Sequence, residues 1–304
     1  MEIVKGSSVC AKNVSATLLD GKTLGLRIEQ TLIERVNALK KKGIHPHLAV
    51  VLAGDDVASQ VYVRNKERAC ERCGIKSTRI DLPNDVSQEQ LMEVVSNLNA
   101  DDSVHGILVQ SPTPIGTDEI AITEAIDPSK DVDGFHPTNL GRLVMGQSDG
   151  LLPCTPAGVM KIIEDAQIDL QGSNAVVIGR SRIVGMPLAL LLAQKGIDAT
   201  VTVAHSRTQD IANICRNADL VVAAIGRPAI VKADWIKPGA TVIDVGINRI
   251  SDESRESGSR LAGDVDPAAM EVAGHMTPVP GGVGPMTISM LMNNTVRAAE
   301  MKLG

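Results

Sequence analysis

The sequence predicts two open α/β domains facing each other across a cleft. Three observations carry that expectation. Continuous apolar runs of strand length alternate with stretches of helical periodicity in both halves of the chain. The length, 304 residues, suits two domains of ordinary size, each with its own core. A proline-bracketed stretch, Pro153-Cys154-Thr155-Pro156-Ala157, separates the halves. The expected division is residues 1–150, joined by a returning C-terminal helix at 287–304, and residues 151–286.

The first half opens with a helix over 19–42, ending on Lys40-Lys41-Lys42 and stopped by Gly43. His47 to Gly54 is continuously apolar after its first residue and suits a buried parallel strand. A helix carrying Tyr62 and Lys66 follows and stops near Gly74. Ser77 to Leu82 is a short strand, and Ser87-Gln88-Glu89-Gln90 supplies the Ser-x-x-Gln of a capping box. Val104 to Gln110 is the next strand, closed by Ser111-Pro112. Lys130-Asp131-Val132-Asp133-Gly134-Phe135 reads as a loop after this third helix and strand.

The second half starts with a helix from the proline junction to about Ala166. Asn174 to Ile178 is a strand, and Gly179-Arg180-Ser181-Arg182-Ile183-Val184-Gly185-Met186-Pro187 is a turn into a helix over 188–195. A glycine-bounded turn from strand to helix offers free backbone N–H groups to a phosphate. It departs from G-x-G-x-x-G, with serine near the second glycine's place and the last spacing one longer. The next strand, Ala199 to Ala204, ends in His205-Ser206-Arg207-Thr208. A ribose 2′-hydroxyl would meet an acid about here and a 2′-phosphate an arginine. Ser206 and Arg207 therefore point to NADP, although an arginine after a strand can also be merely solvated. Strands follow at 219–225 and 241–246, then a polar hairpin or loop at 251–260. Three prolines and three glycines within residues 278–285 demand a shaped loop or a hinge. A last helix runs from Thr287 to Met301.

Composition narrows the function classes. Hydrophobic residues make up 43% and charged residues 22%, as in a globular protein, and a net charge of −6 disfavours a broad nucleic-acid surface. An anionic ligand must then be held by local groups. Tyr62, Phe135 and Trp235 are the only aromatic residues, so the cores must be aliphatic. The five cysteines, Cys10, Cys70, Cys73, Cys154 and Cys215, are odd in number and scattered, which suggests a reducing compartment and a cytoplasmic protein. Cys70-x-x-Cys73 has no second pair at zinc spacing and reads as packing. No signal peptide and no apolar run of membrane-spanning length is visible. Asn13-Val14-Ser15 and Asn293-Asn294-Thr295 match the glycosylation pattern without meaning in that compartment. None of the six histidines forms a convincing metal site, and His45-x-His47 reads as a turn into a strand.

The candidate chemistry centres on Tyr62-Val63-Arg64-Asn65-Lys66. On a helix, Tyr62 and Lys66 share one face, an aromatic plate beside a primary amine. To move protons near neutral pH, that amine must fall from about 10.4 to roughly 7–8, worth on the order of 4 kcal/mol. Burial and a hydrogen-bonding partner are the means. The same spacing occurs by chance on any amphipathic helix. Gln110 ends its strand, and ligands of open α/β sheets bind beyond the carboxyl ends of strands, so it projects toward the same rim. Asp133 can reach that rim from its loop. The plainer readings are a strand-end amide capping a loop for Gln110 and a turn carboxylate for Asp133.

Taken in order, Tyr62-x-x-x-Lys66, Gly106-Ile107-Leu108-Val109-Gln110, Lys130-Asp131-Val132-Asp133-Gly134, Gly179-Arg180-Ser181, Val245-Gly246-Ile247-Asn248 and Pro278 to Thr287 closely resemble the bifunctional methylenetetrahydrofolate dehydrogenase / methenyltetrahydrofolate cyclohydrolase family. The resemblance covers nearly the whole chain. It implies a Rossmann-type NADP-binding second domain and a folate-binding first domain. The implied activity is NADP-linked oxidation of methylenetetrahydrofolate followed by hydrolysis to formyltetrahydrofolate, in a homodimer; the charge, the hydropathy and the histidines separately argue against nucleic acid, membrane and metal. By the same resemblance Lys66 is the catalytic lysine, Gln110 its hydrogen-bonding partner, Tyr62 the ring lying on the folate and Asp133 the carboxylate holding the pterin, with Pro280 and Gly284 beside the substrate. Gly179, Arg180, Ser181, Ser206, Arg207 and Ile247 are the expected cofactor contacts. Ser111 and Thr113 stand where relatives usually have leucine, which implies a thinner apolar wall, and Ala204 replaces a frequent cysteine. A monofunctional dehydrogenase and a non-catalytic nucleotide-binding regulator are the alternatives. A short-chain dehydrogenase also uses Tyr-x-x-x-Lys, but after its dinucleotide turn rather than before it.

Overall fold

A computed structural model describes residues 15–255 and 258–303. Cys10 and the Asn13-Val14 pair lie outside the described residues, as do residues 256 and 257 of the polar 251–260 stretch. The chain forms two parallel sheets. The first contains β2 (His47–Ala53), β3 (Lys76–Leu82) and β4 (Gly106–Val109) in the order β3-β2-β4. The second has six strands in the order β1-β11-β8-β7-β5-β6: β1 (Thr17–Leu18), β5 (Asn174–Ile178), β6 (Thr200–Ala204), β7 (Leu220–Ala223), β8 (Thr241–Asp244) and β11 (His275–Met276). A separate antiparallel hairpin joins β9 (Asn248–Ser251) to β10 (Ser259–Ala262).

Helices flank the sheets: α1 (Gly21–Lys41), α2 (Val57–Cys73), α3 (Gln88–Ala100), α4 (Glu119–Ala125), α5 (Pro137–Val144), α6 (Cys154–Asp165), α7 (Gly185–Ala193), α8 (Ile211–Arg216) and α9 (Val283–Met301). The expected boundaries hold where a cap marks them. Ser87 and Gln90 close a reciprocal capping box on α3, and Gly74 takes the left-handed conformation that ends α2.

Four expectations need correction. The 130–135 loop follows a fourth helix, α4, and α5 comes straight after it; both are too short for periodicity to register. Helix α7 starts at Gly185 rather than Leu188 and ends at Ala193. Helix α9 starts four residues before Thr287, because Pro285 sits in a first turn whose N–H groups have no helical partner to lose. Strand β1 had no local signal. It is two residues long and is defined by pairing with β11, where Leu19 N donates to Met276 O at 2.9 Å.

The core is aliphatic, as the composition requires. Leu32, Leu48, Leu188, Leu192, Met286 and Met292 are buried in one cluster that runs from β2 through α6 and α9 to β5. Helix α9 packs against α1, α2 and α6, so it returns across the first sheet's helices and closes one side of the gap. Cys70 and Cys73 are both fully buried, with Cys70 Sγ 3.5 Å from Met292 Sδ, in agreement with a packing role. His47 opens β2 and is held by Thr78 Oγ1 at 2.8 Å and Ser103 O at 3.1 Å. Among the described residues no helix is long and apolar enough to cross a membrane.

Candidate active site

Helix α2 is capped by Asp56, whose carboxylate accepts Ser59 N at 2.7 Å, and it runs back from the carboxyl end of β2. That placement brings Lys66 to β4. Its Nζ donates to Gln110 Oε1 at 2.9 Å. Gln110 is fixed twice: its backbone N–H continues the β2 ladder to Val51 O at 2.8 Å, and its Nε2 donates to Ser111 O at 2.7 Å. The amide therefore presents its acceptor to the lysine. Burial pushes the Lys66 ammonium below the ordinary lysine range, and the Asp133 carboxylate pulls it part of the way back.

Asp133 owes its position to its neighbours. Lys130 Nζ donates to the carbonyls of Leu98, Asn99 and Asp101, anchoring the loop to the end of α3. Asp131 accepts His136 N at 2.8 Å and Asn139 Nδ2 at 2.9 Å. Gly134 has φ +77° and lies directly on the Leu152–Pro153 backbone, which leaves no room for a Cβ. Asn294 of α9 donates to Val132 O at 2.9 Å and Leu152 O at 2.8 Å. Burial pushes the Asp133 carboxyl up to about 6, against the opposing pull of Lys66 and with a small push from Asp131. Among the described residues its carboxylate makes no hydrogen bond or ion pair, so it is free to receive one from a ligand.

Two cavities meet these groups. One of about 400 Å³ lies between α1 and α2 on one side and residues 244–247 and 278–285 on the other, and Tyr62, Ile247, Pro280 and Gly284 line it. A second of about 250 Å³ is lined by Ser111, Thr113, Asp133, Phe135, Ser181 and Arg182 among others. Lys66 and Gln110 line neither. Lys66 sits one helical turn from Tyr62, which borders the first cavity, and within electrostatic reach of Asp133, which borders the second. Ser111 and Thr113 do more than thin an apolar wall. Ser111 Oγ donates to Glu119 Oε1 at 2.7 Å and Thr113 N donates to the same oxygen at 2.9 Å, so this edge is polar. Ala204 is fully buried and packs without a polar partner to replace.

The glycine-bounded turn lies where the sequence puts it, between β5 and α7. Gly179 has φ +129° and passes so close to Ala224 O that only glycine fits. Ser181 Oγ accepts Val184 N at 3.1 Å and Gly185 N at 3.4 Å, while Arg180 and Ser181 themselves are exposed. Strand β6 pairs with β5, which sets the Ser206-Arg207 turn beside Gly179. His205 Nδ1 accepts Arg207 N at 3.1 Å and orders that turn, leaving the guanidinium exposed. The first acid beyond it, Asp210, is occupied as the N-cap of α8. A close backbone turn, an arginine on each side and no free acid are the donor set that suits a phosphorylated dinucleotide.

Sequence reasoning missed the carboxylates that shape the Ile247 loop. Asp264 is fully buried and accepts Ile225 N at 2.6 Å, Gly226 N at 2.8 Å, Arg227 N at 2.9 Å and Asn248 Nδ2 at 2.9 Å. Asp244 accepts Gly246 N, Asp264 N and Val265 N, each at 2.9 Å. The available signal was an acid ending an apolar strand next to glycine, in Val242-Ile243-Asp244-Val245-Gly246. Asn294 carries no signal of its own, being the middle residue of the Asn293-Asn294-Thr295 pattern, yet it is buried and holds the Asp133 loop.

Comparison with known proteins bears directly on these two halves. Residues 19–133 match the family model described as tetrahydrofolate dehydrogenase/cyclohydrolase, catalytic domain, and residues 153–303 match the NAD(P)-binding domain of the same family. The bifunctional protein FolD of Azoarcus sp. is 57% identical over 288 residues, covering 94% of this chain and 97% of the relative. That of Campylobacter concisus is 54% identical over 289 residues, covering 94% and 98%. Among solved structures, the bifunctional FolD methylenetetrahydrofolate dehydrogenase/cyclohydrolase of Campylobacter jejuni superposes with a TM-score of 0.90 at 49% identity, covering 95% of this chain and all of that one. The Trypanosoma brucei enzyme, complexed with NADP and an inhibitor, also gives a TM-score of 0.90, at 41% identity, covering 95% and 99%. With both of its halves matched and relatives this similar over nearly their whole length, the chain belongs to the tetrahydrofolate dehydrogenase/cyclohydrolase family.

Proposed function

We infer that the chain is a bifunctional enzyme of folate one-carbon metabolism, oxidising methylenetetrahydrofolate to methenyltetrahydrofolate with NADP and hydrolysing the product to formyltetrahydrofolate. The observation that carries the reading is the Lys66–Gln110 hydrogen bond. It holds an amine whose charge is disfavoured by burial beside the unpartnered Asp133 carboxylate. Tyr62 offers its ring as a plate for the substrate, and Asp133 accepts hydrogen bonds from the pterin. Pro280 and Gly284 form the wall opposite Tyr62 in the larger cavity. Gly179, Arg180 and Ser181 receive the cofactor's phosphates, Ser206 and Arg207 its 2′-phosphate, and the exposed Ile247 lies against its ring. NADP supplies the hydride acceptor. For hydrolysis, neutral Lys66 takes one proton from the attacking water and returns it to the ring nitrogen that leaves, the second water proton passes to solvent as the formyl carbonyl forms, and Gln110 fixes the amine's direction.

The folate-binding unit on this reading is residues 1–150 with the returning helix 287–304, and residues 151–286 form the dinucleotide-binding unit, to whose sheet β1 also contributes. Four free thiols buried among the described residues support a reducing, cytoplasmic setting, and the net charge of −6 speaks against a nucleic-acid partner. The family resemblance supports a homodimer.

A paired assay of both steps, run with NADP and with NAD across pH, tests the reading. Both activities are expected, with NADP preferred. The KM for folate should climb below about pH 6, where Asp133 takes up a proton and loses its strength as an acceptor. Release of the methenyl product at its spontaneous rate would reduce the enzyme to a dehydrogenase. No turnover of folate at all would overturn the assignment.

A further inference from the structure

Three acids line the smaller cavity, Asp131, Asp133 and Glu119. Asp131 is taken up by its own loop and Asp133 is left for the ligand, so Glu119 has no direct part in either step. Its position is fixed all the same. Asp118 caps α4 by accepting Ile120 N at 2.9 Å and Ala121 N at 3.2 Å, which sets Glu119 in the first turn of that helix. From there Glu119 Oε1 accepts Ser111 Oγ at 2.7 Å and Thr113 N at 2.9 Å, so one oxygen grips the segment after β4 at two points. The other oxygen lies 4.0 Å from Arg182 Nη2, an exposed pair of little worth. The gripped segment is the one that sets the Gln110 amide. Gln110 Nε2 donates to Ser111 O at 2.7 Å, and that contact decides which end of the amide meets Lys66. Turned over, the amide would set its oxygen against a carbonyl oxygen and its NH₂ against the Lys66 amine.

We propose that Glu119 is a positioning residue for the hydrolytic step: by holding Ser111 and Thr113 it fixes the Ser111 carbonyl, which keeps the Gln110 acceptor aimed at Lys66. The proposal rests on the proton-carrying role of Lys66. A leucine, expected at position 111 from the family resemblance, has no hydroxyl to give, so the serine and the glutamate act as a pair in this chain. Hydrogen bonds to a carboxylate are among the stronger ones, which suits a support that must hold a loop at the cavity edge. Hydride transfer to NADP moves no proton through Lys66, so oxidation depends on this support less than hydrolysis does.

The test measures hydrolysis, NADP-linked oxidation and NADPH affinity for the wild type, Glu119→Ala, Glu119→Gln and Ser111→Ala, with Lys66→Met alongside. Glu119→Ala should lower the kcat of hydrolysis by about tenfold, the worth of one hydrogen bond to a charged group, while oxidation and NADPH affinity stay close to wild type. Glu119→Gln keeps an accepting oxygen for both donors and should restore most of the rate. Ser111→Ala leaves the Thr113 N–H in place and should fall between. The acidic limb of the hydrolysis profile should also move to lower pH in Glu119→Ala. An amine facing the amide's NH₂ loses an acceptor for its charged form, so the neutral lysine persists to lower pH. The Asp133 carboxylate and the Cys154 thiol, which face the same amine, are present in every variant. Equal losses of hydrolysis, oxidation and NADPH affinity, or a Glu119→Ala hydrolysis rate equal to wild type, overturn the positioning role, while Lys66→Met reports on the amine itself. A wild type that hydrolyses no faster than the spontaneous reaction overturns both.

Discussion

Lys66→Met is expected to abolish methenyltetrahydrofolate hydrolysis above its spontaneous rate while leaving NADP binding intact. A positioned proton carrier contributes ~10²–10⁴-fold, and methionine fills a similar volume with nothing to accept or donate a proton. The substitution removes a single hydrogen bond, to Gln110 Oε1, at the rim of β4 rather than in the core, so the fold should survive. The cofactor turn at Gly179 to Ser181 and the Ser206-Arg207 turn belong to the other sheet and share no hydrogen bond with Lys66. Stopped-flow absorbance for the methenyl product and a fluorescence titration with NADPH read the two effects separately. An undiminished hydrolysis rate would remove Lys66 from the mechanism.

The second large effect is on stability. Asp264→Ala strips the acceptor from three backbone N–H groups at 225–227 and from the Asn248 amide, in a position that is fully buried. The donors are part-buried, and hydrogen bonds to a charged acceptor are worth about 1.5–3 kcal/mol each, so with water replacing some of them the loss should still reach on the order of 3 kcal/mol, a fall in Tm that calorimetry resolves easily. The loop carrying Ile247 hangs between Asp244 and Asp264, so weaker NADP binding should accompany the loss. Asp264→Asn should recover little, because its NH₂ would face donors. A Tm unchanged from wild type would show that this carboxylate does not organise the loop.

Most of the scaffold was legible because its elements are long and capped by local chemistry. The apolar run at His47 to Ala53, the capping box at Ser87 and the αL glycine at Gly74 each act within a few residues. What escaped was decided at a distance. Strand β1 exists only because residues more than two hundred positions away offer it an edge, and α4 and α5 are held by single caps, Asp118 and His136. Tyr62, Lys66, Gln110 and Asp133 could be nominated from motif order and from the rule about strand ends. The supports that aim them could not, since Asn294, Asp244 and Asp264 act through bonds between segments far apart in the chain, and Asp131 acts on residues five and eight positions on without any periodic signature. Nor does any local pattern show that Tyr62 and Asp133 border different cavities, with Lys66 between them in sequence and charge.

The account turns on an amine that gives up its proton more readily than an ordinary lysine does. NMR titration of isotope-labelled lysine amines, with the Lys66 signal identified by its disappearance in Lys66→Met, measures that property without reference to turnover. Burial against β4 predicts that Lys66 titrates below the solvent-facing lysines of the same protein. A Lys66 signal titrating with them, or above them, would contradict the account.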